Sequence, residues 1–193
     1  MVKNYLTTIH MQFVTAVTAA DFIVDKTCYN GYKKVDGVFL LPKVLVDADG
    51  CPVVDLTIQI ASQFSLPVIL ICDTSHRIDR DGAETILVDK GADAVDFVLV
   101  NRVEKGDIVV TQDYGLAAMV LAKQGYVINQ NGWLYTEENI DRLLHMRHVS
   151  QKARRAGNRL KGPKKRSMEE DQKFVENFNK LCKKITEQDN IIM

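Results

Sequence analysis

From Lys43 onward, short uninterrupted apolar runs alternate with stretches whose apolar residues recur at helical spacing. An unbroken apolar run of about 4–8 residues suits a strand buried on both faces, the kind found in parallel sheets. KVLVDAD reads as a first strand ending in carboxylates. Pro52 then opens a helical pattern of Val53, Leu56, Ile60 and Phe64. LPVILIC is a second strand, followed by the polar loop DTSHRIDRDG, and ETILVD is a third. Asp93 to Val103 has helical spacing, and Lys105-Gly106-Asp107 turns into a fourth strand, IVVTQ. Tyr114 to Gln124 is a helix stopped by Gly125, and Tyr126 to Asn129 is a fifth strand. Thr136 is placed to cap a helix running to about Met146, with Gln151 to Arg155 adding a turn or two before Gly157. The predicted fold class is α/β, a three-layer parallel sheet of about five strands flanked by helices, with a C-terminal helical and basic extension. The expected division is 1–42, an extension with no chemical motif; 43–150, the α/β domain; and 151–193, a basic segment and an amphipathic helix.

No apolar run approaches the ~20 residues of a membrane helix. Cys28, Cys51, Cys72 and Cys182 lie far apart without a CxxC spacing, so neither a zinc ribbon nor a thioredoxin motif is present. A cytoplasmic location is the expectation. Residues 1–42 lack the clean apolar core of an export signal, and Asp36-Gly37 marks a turn feeding a short strand.

In parallel sheets ligands gather at the carboxyl ends of the strands. Asp47 and Asp49 close the first strand, and Asp113 lies just past the fourth, two residues after Thr111. Asp93 and Asp96 share a face at the start of the second helix. If the first and fourth strands are neighbours, these acids converge. Carboxylate-rich sites suit Mg²⁺ or Mn²⁺ rather than zinc, and such an ion can polarise a phosphoryl oxygen. Each acid also has a local reading: Asp93 as a helix cap, Asp96 as a first-turn carboxylate, Asp113 as a turn residue. Cys51, entering a helix, is either an activated thiol or a packed side chain. Ser75, His76 and Arg77 stand in the loop after the second strand, as phosphate contacts or as a solvated loop. No P-loop or GxGxxG is present.

The segments VDADGCPV, SHRI, ADAVDF, KGDIVVTQDYGLAAMVLAKQG, NGWLYTEENID and RLKGPKKRSMEED resemble the YaiI/YqxD family of bacterial proteins, over about Lys43 to Phe178. That family has DADACP at the first motif, so Gly50 is a departure. The family is in turn similar to PIN-like and NYN nucleases. That likeness implies a strand order 3-2-1-4-5 and an Mg²⁺ or Mn²⁺ site. It matches Asp47 to the acid ending the first strand, Thr111-Gln112-Asp113 to the TxD element, and Asp93 or Asp96 to the helix acid.

Net charge is zero but segregated: −9 over 43–141 and +10 over 142–166, where ten Lys/Arg meet no acid. Arg154, Arg155, Arg159, Lys161, Lys164, Lys165 and Arg166 are candidate nucleic-acid contacts, phosphate-directed and largely sequence-independent. RNA is the favoured partner. Alternatives are a solvated tail or a contact with the acidic body of a second copy. Few aromatics are interleaved, and Trp133 and Tyr135 read as packing residues in a hairpin-like turn, NGWLY. Phe174, Phe178, Leu181, Cys182 and Ile185 form one face of a helix that must dock on its own domain or on a partner. The expected activity is metal-dependent hydrolysis of RNA or DNA phosphodiesters, with Asp47, Asp49, Asp96 and Asp113 as the catalytic set and Asp47, Asp49, Asp93 and Asp113 as the metal set. The alternatives are a non-catalytic nucleic-acid- or ribosome-binding module and a small-phosphoester hydrolase.

Overall fold

A computed structural model describes residues 28–29, 32–35, 38–39, 42–75, 77–91, 93–155 and 165–190. Strands β1 (Cys28–Tyr29), β2 (Tyr32–Val35) and β3 (Val38–Phe39) pair antiparallel in a small sheet of their own. Val35 stands opposite Val38; the turn expected at Asp36-Gly37 lies outside the described residues. The main body follows as β4 (Val44–Asp47), α1 (Val54–Gln63), β5 (Val68–Asp73), β6 (Glu84–Val88), α2 (Ala94–Arg102), β7 (Ile108–Val110), α3 (Tyr114–Ala122), β8 (Tyr126–Ile128), β9 (Leu134–Tyr135), α4 (Glu137–Arg155) and α5 (Met168–Asn190).

The sheet order is β6-β5-β4-β7-β8-β9. Its first five members are parallel and follow the expected 3-2-1-4-5 order; the sixth, β9, is an antiparallel edge strand folded back on β8. Strands in the centre are covered on both faces, and their alternate residues serve different layers. Val44, Val46, Leu70, Cys72, Ile108, Val110 and Ile128 pack with α1 and α5. Leu45, Ile71, Val109 and Val127 pack with residues of α2, α3 and α4. The unbroken apolar runs are therefore two interleaved period-2 faces, one per helical layer.

Two features differ from expectation. The helix opened by Thr136 does not pause near Met146 but continues to Arg155, because no glycine or proline interrupts it before Gly157. Of the two aromatics in NGWLY, Tyr135 is buried, its ring edge-on to Tyr114 at 5.8 Å, whereas Trp133 is 67% exposed.

The amphipathic C-terminal helix docks on its own domain. Phe174, Phe178, Leu181, Cys182 and Ile185 of α5 are all buried in the layer built on α1, and the two phenylalanine rings stack 5.3 Å apart. At the other end of the sheet from the strand-terminal aspartates, buried Asp107 accepts from the backbone N–H of Lys43 at 3.0 Å, its Nζ at 2.6 Å and the N–H of Glu104 at 2.8 Å. This ties the starts of β4 and β7 together. Burial raises the Asp107 pKa, with Lys43 opposing.

Truncating Phe178 to alanine leaves a hole in the α5 layer, and the expected loss is about 3–5 kcal/mol, read as a lower urea midpoint. Because β1–β3 share no strand pairing with the larger sheet among the described residues, a chain starting at Pro42 is expected to unfold cooperatively. A non-cooperative melt of that shorter chain would make the first 41 residues part of the core.

Candidate functional site

The parallel register determines what meets at the carboxyl edge of the sheet. Asp47 ends β4 and pairs beside Ile71 of β5, while Asp73 ends β5 beside Val88 of β6. Three neighbouring strands thus finish side by side. An open cleft there is lined by Asp47, Asp49, Asp73, Asp89, Asp93 and Asp96, with Gly91, Ala94 and Val95.

Each acid is held locally. By strand alternation Asp47 follows Leu45 onto the α2–α3–α4 side. Its Oδ2 accepts from the Thr111 hydroxyl at 2.8 Å, and that hydroxyl in turn accepts from the Asp113 N–H at 3.0 Å. Thr111 is buried, so its one O–H is committed to aiming the Asp47 carboxylate. Asp49 stands in the turn after β4, where the Asp73 N–H donates to its two oxygens at 3.3 and 3.2 Å. Gly50 beside it has φ +68 with nothing within 4 Å of a built Cβ. An alanine there would fit the space but strain the backbone. Asp73 bends the next loop through the Ser75 N–H at 2.6 Å. Asp93 precedes α2 in a left-handed conformation, φ 57, with no capping hydrogen bond from its side chain, so it borders the cleft instead of closing the helix.

Asp113 behaves differently. Its Oδ1 caps α3, accepting from Gly115 N at 2.6 Å and Leu116 N at 3.1 Å, and its Oδ2 meets Arg147 of α4 at 2.7 Å. Partial burial alone would raise its pKa, but the Leu116 and Gly115 N–H groups and the Arg147 guanidinium hold it below the usual carboxylate range. Both oxygens are engaged and the residue stands at the margin of the cleft, not in its lining. Asp47, Asp49, Asp93 and Asp96 of the expected set therefore come together, and Asp113 serves as cap and ion-pair partner.

The electrostatics follow from crowding. Burial pushes the Asp47 carboxyl up to about 6, against the Thr111 hydrogen bond and with Asp96, Asp49 and Asp113 adding to the rise. Burial also raises Asp96, with Asp113 and Asp93 adding to it and Arg147 opposing. Half-buried Cys51 packs against the α1–α5 layer, and burial pushes its thiol up to about 11, which disfavours the thiolate.

The basic residues distribute unevenly. Ser75 and Arg77 are exposed in the loop after β5, Arg77 lying 3.6 Å from Asp79. Arg154 and Arg155 end α4, and Lys165 is exposed. Arg166 is spent on the protein: its guanidinium meets Asp171 at 2.6 Å, Asn131 Oδ1 at 2.9 Å and the Gln130 carbonyl at 2.7 Å. His76, Arg159, Lys161 and Lys164 lie outside the described residues. Sequence reasoning missed Asp73, Asp89 and Arg147. Asp73 ends β5 as Asp47 ends β4, and Asp89 directly follows β6, so the rule that found Asp47 would have found them; Arg147 has no local signal, because its partner is 34 residues away.

All the cleft donors are carboxylates, which fits a hard divalent cation. Among the described residues no group of three His, Cys, Asp or Glu is arranged to enclose an ion. Mg²⁺, which keeps several waters and needs only one or two carboxylates, is compatible with that spacing. Among the described residues no helix is long and apolar enough to cross a membrane.

Because the folded Asp47 holds its proton more tightly than the unfolded chain, its contribution to stability is present below about pH 4 and lost as pH rises through about 6. Asp47→Asn keeps an acceptor for Thr111 without the charge. The variant should be more stable than the parent at pH 7, by on the order of 2–3 kcal/mol, with the gap closing toward pH 4. Urea titrations at several pH values measure this; a gap independent of pH would remove Asp47 from the crowded set.

The family model described as "Uncharacterized BCR, YaiI/YqxD family" matches residues 45–184. A UPF0178 protein of Exiguobacterium sibiricum is 57% identical over 145 residues, covering 75% of this chain and 99% of that protein. UPF0178 proteins of Clostridium acetobutylicum and Natranaerobius thermophilus are each 49% identical, covering 72% and 74% of this chain and 95% of each relative. No solved structure matches the chain. On the family match and these identities, the chain belongs to the YaiI/YqxD family.

Proposed function

We propose that this protein is a metal-dependent hydrolase of RNA or DNA phosphodiester bonds. The observation that carries the reading is the cleft at the ends of β4, β5 and β6, where Asp47 is aimed by Thr111 and crowded by Asp49 and Asp96. Asp47 and Asp49 would hold a Mg²⁺ or Mn²⁺ ion, which supplies Lewis-acid polarisation of a phosphoryl oxygen. Asp96, its pKa raised by burial and by its acidic neighbours, would take a proton from the attacking water. Arg147, half-exposed beside Asp113, would offer a cation to a phosphate approaching this acidic surface.

A second reading is favoured by one observation, the engagement of both Asp113 oxygens. In that reading the protein binds nucleic acid without cutting it.

The test is turnover of a short RNA, a single-stranded DNA and a small phosphodiester, with Mn²⁺, by the parent and by Asp47→Asn. Loss of polymer cleavage by about 100-fold or more in the variant supports the hydrolase. Equal cleavage by both proteins overturns it. Cleavage of the small ester in preference to polymers moves the assignment to a small-phosphoester hydrolase, and tight polymer binding without cleavage moves it to the binding module.

A further inference from the structure

We propose that Trp133 is a base-stacking platform for single-stranded nucleic acid, held on a rigid turn at the same sheet edge as the aspartate cleft; this deepens the nucleic-acid reading above and rests on it. Trp133 is the chain's one tryptophan and stands 67% exposed in the connection from β8 to β9. Exposed single apolar residues are ordinary on mobile loops. This one sits on a turn fixed from several sides. The Asn129 N–H donates to the Trp133 carbonyl at 2.7 Å, and the Gly132 N–H to the Asn129 carbonyl at 2.8 Å. Asn177 of α5 donates to the Gly132 carbonyl at 3.0 Å, and Arg166 grips Gln130 and Asn131. Gly132 is buried with φ +82, and a Cβ there would stand 2.6 Å from the Lys173 carbonyl oxygen, so the turn lies directly on α5. The backbone is thus ordered while the indole is left in water. A rigid aromatic loses little entropy on stacking.

Its position points to the occupant. Strand β8 is parallel to β7 and β4, so its carboxyl end lies on the same sheet edge as the cleft. It is two strands from β4, about 10 Å at ordinary strand spacing, which a few nucleotides span. Two described arginines of the cationic run 142–166 stand at these places. Arg147 meets Asp113 at the cleft margin, and Arg166 meets the turn that carries Trp133. In sequence, the run 142–166 that holds both arginines carries ten Lys/Arg and no acid, a composition suited to a polyanion, and an exposed indole suits one that also presents aromatic faces. Stacking tolerates every base, and phosphate contacts carry no base information, so binding is expected to be sequence-tolerant. Duplexes hide their base faces and should not use this platform.

The lone tryptophan gives a direct readout. In the full-length Asp47→Asn variant, where turnover does not interfere, oligo-thymidylate and oligo-uridylate of about eight nucleotides should quench the emission saturably. An abasic deoxyribose-phosphate oligomer and a duplex of the same length should not. By fluorescence anisotropy with a labelled oligomer, Trp133→Ala should weaken binding about 5- to 150-fold. Trp133→Phe should retain most of it, and the slope of log affinity against log salt should be unchanged, because no phosphate contact is lost.

Equal affinity of the alanine variant, equal quenching by the abasic oligomer, or no binding of any oligomer would overturn the proposal. So would a blue-shifted emission in the free protein that acrylamide fails to quench, since the indole would then be covered by this chain or a second copy. Metal-dependent cleavage without base-dependent quenching removes the platform and leaves the hydrolase; quenching without cleavage by the parent removes the hydrolase and leaves the platform.

Discussion

Parallel pairing of β4 with β5 on one side and β7 on the other is the constraint from which the site follows. Parallel strands start at one edge and finish at the other, so residues closing separate strands become neighbours whether or not their charges agree. Here Asp47 and Asp73 close adjacent strands, Asp89 follows the third, and α2 adds Asp93 and Asp96. The core accepts this crowding because the apolar runs behind it are buried on both faces, and such burial outweighs the repulsion of a few partly solvated carboxylates. Repulsion and desolvation then surface as the raised pKa values of Asp47 and Asp96. A site under such electrostatic tension is the kind that functional sites carry at a cost in stability.

The C-terminal third of the chain converts this edge into a bounded surface. Helix α4 brings Arg147 to Asp113, and α5 returns under the sheet to close the layer on α1. Arg166 joins the start of α5 to the turn after β8 through three partners. Two arginines of one basic run therefore have different duties. Arg147 remains half-exposed at the cleft, whereas Arg166 is largely enclosed by its partners. Counting charges along the segment treats them alike; their hydrogen bonds separate them.

The alternation of strands and helices and the strand-end acids were legible in the residues, because each is written in local periodicity or in a motif; the five-strand order was implied only by the family resemblance. Period-2 burial behind Val44–Asp47, a helix opened by Pro52 and a thread of Thr111 and Asp113 past the fourth strand all lie within a few residues of their cause. The continuous length of α4 was legible in principle from the absence of any glycine or proline before Gly157.

What the residues could not disclose was how distant segments share a side chain. Asp113 reads equally as a metal ligand and as a helix cap until Arg147, 34 residues on, takes its second oxygen. Trp133 precedes the short strand that holds Tyr135, and local pattern gives no reason to bury one and expose the other. That choice was made by Tyr114 receiving the tyrosine on one face and by α5 pressing on Gly132 beside the tryptophan. Periodicity specifies faces; which face meets another layer and which meets water depends on chain that arrives from far away in sequence.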